Sequence, residues 1–266
     1  MSKKTGMLVG VLGGVAVLAV LALAVVNYLL RDTAPSSGTL GATPLALNTA
    51  VPTTPPTAPP NVENTAAPAA QPTAPPTVES TAAPSSGLTL FQIEASQSQA
   101  SFSIYEELGG QPKTVIGVTN EVAGQLAVNA EDLSQTQVGV IQVGVRSLVT
   151  DSNRRDNAIR RFILNTDQYE FVTFTPTGLS GLSGAAQAGQ TFTFQITGEL
   201  TIRNVTQTVT FDVTAQGVSD TQISGTATAV ILRSNYGLEI PSVPNVANVG
   251  DEVTLQLTFV ANALGQ

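Results

Sequence analysis

The chain has 266 residues, a net charge of −8, and neither cysteine nor histidine. Disulfides, thiol chemistry, histidine-dependent triads and histidine-ligated zinc are therefore excluded, and no metal or cofactor is expected. From residue 88 onward 16 acidic residues stand against 8 basic ones, so nucleic acid, which selects basic surfaces, is not an expected partner.

Met7 to Val26 carries neither a charge nor a side-chain amide, and Tyr28-Leu29-Leu30 extends the apolar run to Arg31. This matches the ~20 residues that cross ~30 Å of hydrocarbon. Lys3 and Lys4 precede the run and Arg31 alone follows it, so the positive-inside bias keeps the N-terminus cytoplasmic. A cleaved signal peptide is the other reading, with Ala22-Leu-Ala24 as its cleavage motif, although the apolar run continues past it. Both readings send the rest of the chain out of the cytoplasm. Residues 1–31 are thus expected to be a single-pass anchor in the cell membrane, with a transmembrane helix at about 7–30.

Residues 32–87 follow as a disordered Pro/Thr/Ala-rich linker. The part from 33 to 86 holds 12 of the 16 prolines, and Pro56–Pro68 recurs almost unchanged as Pro72–Pro84. Such a composition buries no core and favours extended polyproline II, which over this length reaches on the order of 150 Å.

Residues 88–264 form the folding domain. From Phe192 to Ile202 the even positions read Phe, Phe, Ile, Gly, Leu, Ile, and the odd ones Thr, Thr, Gln, Thr, Glu, Thr. A period of two places the apolar set on one face of a strand. After Arg203-Asn204 the alternation resumes with Val209, Phe211 and Val213, so the pair reads as an antiparallel hairpin. Strands are predicted at about 89–94, 100–106, 114–119, 122–129, 137–147, 170–175, 190–202, 206–217, 222–233 and 252–261. One helix is expected at about 152–164, capped by Asp151 or Ser152, with Asp156 and Arg160 at the favoured i,i+4 spacing. Many antiparallel strands and one short helix predict an all-β barrel or sandwich, and closure into a barrel removes exposed edges.

No constellation for catalysis stands out. The pairs Glu106-Glu107, Glu131-Asp132 and Asp251-Glu252 point to opposite faces of their strands, and no serine sits in a nucleophile elbow. On the helix, Arg155, Ile159, Phe162 and Ile163 fall on one stripe. Arg155 therefore faces inward, either to meet a polar ligand head at the mouth of an apolar cavity or to pair with Asp156 or Asp151. Arg154, Arg160 and Arg161 point elsewhere, onto a solvated face.

The landmarks from Phe91 to Ala261, taken in order, resemble those of the YceI-like family of lipid/polyisoprenoid-binding proteins. Phe91-Gln-Ile-Glu-Ala-Ser-Gln-Ser-Gln-Ala-Ser-Phe102 is similar to the family's aromatic-x-Ile-Asp-x-x-His-Ser-x-x-x-Phe opening, with Glu94 for Asp and Gln97 for His. Val122-Ala-Gly124, Ser147-Leu-Val-Thr150 with Arg155-Asp156, and Tyr169-Glu-Phe-Val-Thr-Phe174 follow. Gly198-Glu-Leu-Thr-Ile-Arg-Asn-Val-Thr206 resembles the family's Gly-x-Leu-Thr-Ile-x-Gly-Val-Thr block, with Asn204 for Gly. Arg233-Ser-Asn-Tyr-Gly237 and Val249-Gly-Asp-Glu-Val253 complete the series. The resemblance implies an extended, lipocalin-like antiparallel β-barrel with an elongated apolar cavity for an isoprenoid chain. The expected ligand is an isoprenoid lipid or quinone, bound without catalysis in a membrane-tethered domain outside the cytoplasm. Phe102, Phe171, Phe174, Phe192, Phe194, Ile196, Phe211 and Phe259 are the candidate walls, and Arg155 is the head-group candidate. The rival is a structural or adhesive surface module whose barrel is packed solid.

Overall fold

The computed structural model of the protein describes residues 40–45, 87–187 and 189–265. The apolar run at 7–30 and most of the Pro-rich segment lie outside the described residues. Among the described residues no helix is long and apolar enough to cross a membrane.

Thirteen strands share one antiparallel sheet. They are β1 (Leu88–Ile93), β2 (Gln99–Leu108), β3 (Gln111–Thr119), β4 (Val122–Ala123), β5 (Gln125–Asn129), β6 (Gln137–Val138) and β7 (Ile141–Gly144). After the helix come β8 (Phe171–Ser180), β9 (Thr191–Ile202), β10 (Val205–Ser219), β11 (Gln222–Leu232), β12 (Val246–Ala247) and β13 (Glu252–Ala263). The ladder runs β4-β7-β8-β9-β10-β11-β13-β1-β5-β6, with β2 also on β13, and β3 and β12 on β2. It leaves from β4 and returns to β5, which Gly124 alone separates from β4 in the chain, so the sheet curls back on itself. The fold is all-β and lipocalin-like, with one short helix.

Local chemistry explains where the sheet bends. The predicted strands 122–129 and 137–147 are each broken in two, at Gly124 and at Gly139-Val140. A Cβ at Gly124 would stand 2.4 Å from Ile141 Cδ1, so glycine lets Ile141 pack directly against the backbone at the bend. The β9–β10 hairpin closes through Arg203-Asn204 between the paired residues Ile202 and Val205. Arg203 takes a left-handed φ of 58° there, as tight hairpin turns require. Its guanidinium lies 5.8 Å from the centre of the Tyr169 ring and donates to Ile163 O at 3.3 Å. The turn thus grips the C-terminal end of the helix.

That helix, α1 (Asn153–Ala158), continues as a π turn over Ile159–Ile163. Its i→i−5 bond runs from Leu164 N to Ile159 O at 2.8 Å. The wider turn adds a residue and rotates the predicted stripe: Ile163 and Leu164 pack on the core, while Phe162 is 45% exposed. Asp156 does not reach Arg160. It is 2% exposed and accepts from Thr150 N at 2.8 Å and Thr150 Oγ1 at 2.6 Å, while Arg160 donates to Leu148 O and Asn157 Oδ1, both at 3.0 Å.

Asp156 therefore staples α1 to the strand-to-helix loop. Asp156→Ala leaves the half-buried Thr150 N–H and hydroxyl without their acceptor, which costs about 2–3 kcal/mol. In a domain of this size that lowers the melting temperature by roughly 5–10 °C. Asp156→Asn keeps an acceptor and loses less; thermal melts of the two variants check the order.

Candidate functional site

The period of two carries one face of every long strand into the interior. Even-numbered residues point inward on β2, β9 and the first half of β8, where a bulge between Pro176 and Gly178 then brings Leu179 to the core face. Odd-numbered ones point inward on β3, β7, β10, β11 and β13. Together they line an apolar cavity of about 1300 Å³, above the ~300–1,000 Å³ of ordinary small-molecule pockets. Its wall follows β2 from Ala100 to Leu108, about 26 Å at the rise of a strand. The shape is that of a long chain.

Six of the predicted wall residues, Phe102, Phe174, Phe194, Ile196, Phe211 and Phe259, line this cavity. Phe174 and Phe211 meet edge to face with ring centres 5.0 Å apart. Phe171 and Phe192 lie outside the lining. Phe171 is three residues from Phe174, so the two cannot share a face of β8, and Val172 and Phe174 are the inward pair. Phe192 has the inward parity and pairs with Ala215, which lines the cavity, but is not itself part of the lining.

The rings do not fill the space because they settle on glycine. Phe102 faces Gly117 across the β2–β3 ladder, and Phe259 faces Gly225 across β11–β13. A Cβ at Gly117 would stand 2.2 Å from Phe102 Cε1, and one at Gly225 would stand 2.8 Å from Phe259 Cζ. Phe174 covers Gly198 in the same way, at 2.7 Å. Each ring occupies room that a side chain on the next strand would otherwise take, and at Gly198 and Gly225 a backbone carbonyl stands closer still, Thr175 O at 2.5 Å and Thr214 O at 2.6 Å.

Charge is concentrated where α1 meets the β2–β3 hairpin. Arg155 lines the cavity and is held by two carboxylates: Nη2 donates to Glu106 Oε1 at 2.6 Å, and Nη1 donates to Asp151. Lys113, paired in register with Glu106, donates to the other oxygen of Asp151. Glu106 is 5% exposed, so the network is anchored in the interior while Asp151 reaches solvent. Two acids and two bases pair in this network, while the cavity lining as a whole counts five bases, Lys113, Arg154, Arg155, Arg161 and Arg233, against those two acids. Arg154 is exposed, as helical spacing predicted, and Arg161 is half-buried; both border the cavity. Glu106 and Lys113 were not among the predicted site residues. Glu106 has the inward parity of Phe102 and Ile104, a signal visible in the sequence.

Two outcomes follow for the site. Gly117→Ala pushes the Phe102 ring off its seat and into the cavity, so binding of long apolar ligands falls while the fold persists. The interior receives the ring, so the stability cost stays below the ~1–3 kcal/mol of overpacking a solid core; paired ligand titrations and melts check this. The hydrogen bond from Lys113 and the charges of Arg155 and Lys113 hold the Asp151 carboxyl below its usual range, against partial desolvation. A lowered folded value makes its contribution complete above the ordinary ~3.9 and lost as pH falls through the lowered value. With no histidine in the chain, the melting temperature is expected to be flat between about pH 5 and 8 and to fall only in stronger acid.

The comparisons with known proteins agree with this geometry. A polyisoprenoid binding domain from Saccharophagus degradans superposes with a TM-score of 0.51 at 14% identity, covering 65% of this chain and 98% of its own. BcnA from Burkholderia cenocepacia superposes with a TM-score of 0.50 at 19% identity, covering 64% of this chain and 99% of its own. At these identities the likeness is one of fold. No curated protein sequence matches the chain. The YceI-like domain matches residues 91–261, which span β1 to β13 and the whole cavity, and the chain belongs to the YceI-like family.

Proposed function

We propose that this protein binds a long apolar lipid, a polyisoprenoid or isoprenoid quinone, in its cavity without transforming it. We place the domain outside the cytoplasm, tethered to the cell membrane by the apolar run at 7–30. The observation that carries the reading is the cavity: a continuous apolar lining of about 1300 Å³ with its charged residues gathered at one end. That division suits a ligand with a long hydrocarbon body and one polar head. The fold neighbour described as a polyisoprenoid binding domain supports the class of ligand. The rival, a structural or adhesive module, needs an interior filled by its own side chains, and a cavity of this size does not favour it.

The head group would meet Arg155 only by sharing a guanidinium already bonded to Glu106 and Asp151. Glu106 and Asp151 already engage Arg155 and Lys113, so a neutral polar head such as a quinone carbonyl would accept from Arg155 without bringing a further charge into the interior.

The test is ligand-induced stabilisation of residues 88–266 stripped of endogenous lipid. This stretch includes the family match, and superposition on this chain covers nearly the whole length of the two solved neighbours. A ligand that binds only the folded state adds ~2.7 kcal/mol at a hundredfold excess over its dissociation constant. Menaquinone-like or polyprenyl lipids are expected to raise the melting temperature, and Ile196→Trp, which fills the cavity, is expected to abolish the rise. A melting temperature unmoved by a panel of such lipids would sink the carrier reading.

A further inference from the structure

Residues Leu40–Leu45 precede the family match at 91–261, yet they are docked on the domain. Leu45 N donates to Gln125 Oε1 at 2.9 Å. On β5 the neighbouring Leu126 lines the cavity, so Gln125 stands on the outer face of the sheet. It is nonetheless only 7% exposed, and its Nε2 donates to Gln92 Oε1 on β1 at 3.3 Å. The Leu45 side chain sits over Gly139, with Cδ1 3.3 Å from where a Cβ would be. Gly139 lies in the break between β6 and β7, where the absent side chain leaves the dent that Leu45 enters. Leu40 and Ala42 are half-buried, whereas Gly41, Thr43 and Pro44 are exposed. An outer-face glutamine bonded to the linker backbone and a leucine seated on a glycine make a specific contact.

We propose that Leu40–Leu45 is a clamp that holds the domain close to the membrane anchoring the chain, so that its cavity exchanges lipid with that bilayer. The proposal rests on the anchored, lipid-binding reading above. If the anchor ends at Arg31 and the clamp begins at Leu40, only residues 32–39 separate bilayer and domain, at most about 29 Å fully extended. Without the clamp the separating length is all of 32–87, at most about 190–200 Å fully extended. Leu45 and Leu88 are then both fixed on the domain, at the two ends of the intervening stretch. The entropy of closing such a loop grows only logarithmically with its length, so a long insertion there is compatible with a short tether. The linker's length and the domain's reach are thereby separated.

A chain without cysteine gives a clean test in the full-length protein reconstituted in phosphatidylcholine–phosphatidylglycerol vesicles. Leu45 Cβ lies 3.6 Å from the Cβ position at Gly139, within the ~3.5–4.5 Å that a disulfide spans. Under mild oxidation Leu45→Cys with Gly139→Cys is expected to cross-link at least about tenfold faster than Leu45→Cys with Val218→Cys. Val218 is 50% exposed on β10, which β11, β13 and β1 separate from β5. Equal rates overturn the clamp. A second measurement leaves the sheet unaltered: a dye on Val218→Cys transfers energy to acceptor lipids, and adding Leu45→Asp is expected to lower that transfer at least about twofold, since the permitted separation grows severalfold. Unchanged transfer overturns the short tether even where the disulfide forms. A chain recovered in the soluble fraction removes the anchor and the tether together, whereas lipid-induced stabilisation of residues 88–266 is unaffected by any of these outcomes and reports on the lipid reading alone.

Discussion

Where a phenylalanine on one strand faces a glycine on the next, the ring settles on bare backbone and extends along the wall. The interior of this domain depends on that arrangement. A curled sheet of this kind closes around a space its own side chains can fill, and Phe102, Phe174 and Phe259 would help to fill it if their partners carried a Cβ. Gly117, Gly198 and Gly225 leave each ring a seat on the neighbouring strand. The seats have a cost in strand stability, since glycine packs nothing and orders a flexible backbone. The covering ring offsets part of it, as aromatic rings do over glycine in designed sheets. The same contact that stabilises the wall keeps the lumen clear.

The charged end obeys a different constraint. Glu106 is nearly inaccessible, and a carboxylate taken out of water is tolerated only with a partner and hydrogen bonds in good geometry. Arg155 supplies both and shares itself with Asp151, which Lys113 also holds. Breaking such a network by removing one partner is far costlier than never having built it, typically 3–5 kcal/mol. This makes α1 a fixed part of the rim. The Arg203 turn and the Asp156 staple hold the same helix from its other end and from below, so the polar residues at the mouth are positioned by three independent contacts.

How much of this was legible in the sequence depended on whether a feature was local. The alternation through Phe192–Ile202 and Val209–Val213 predicted β9, β10 and their shared inward face, and the ladder pairs Ile196 with Phe211 and Phe194 with Val213. A strand has no other way to place such a pattern. In Phe171-Val-Thr-Phe174 apolar residues occupy both parities, so the inward face of β8 is decided only by its neighbours. The Asp151–Arg155 contact was available from i,i+4 spacing, whereas Glu106, far from Arg155 in sequence, joins it only through the tertiary fold. The π turn was unreadable because nothing in Ile159–Ile163 distinguishes five residues per turn from four. Its consequence was the exposed Phe162.

A lipid that passes between a bilayer and this cavity moves between two apolar surroundings, so burial of hydrocarbon alone does not favour the protein. The hydrophobic effect, about 0.8 kcal/mol for each methylene taken from water, is present on both sides and cancels. What remains in favour of the cavity is packing against its walls and whatever the polar rim offers the head group. In the path between the two the same figure becomes a barrier, because every methylene that crosses water must be exposed once. A domain held near the bilayer shortens that exposure, and a domain carried far from it does not. If the cavity takes such a lipid, the glycine-seated rings would set which chains fit, the Glu106–Arg155–Asp151 network which heads are tolerated, and the contact of Leu45 with Gln125 and Gly139 the rate of exchange. The first two belong to the family domain; the third lies outside it, in the part of the chain where the family's sequence pattern offers no guide.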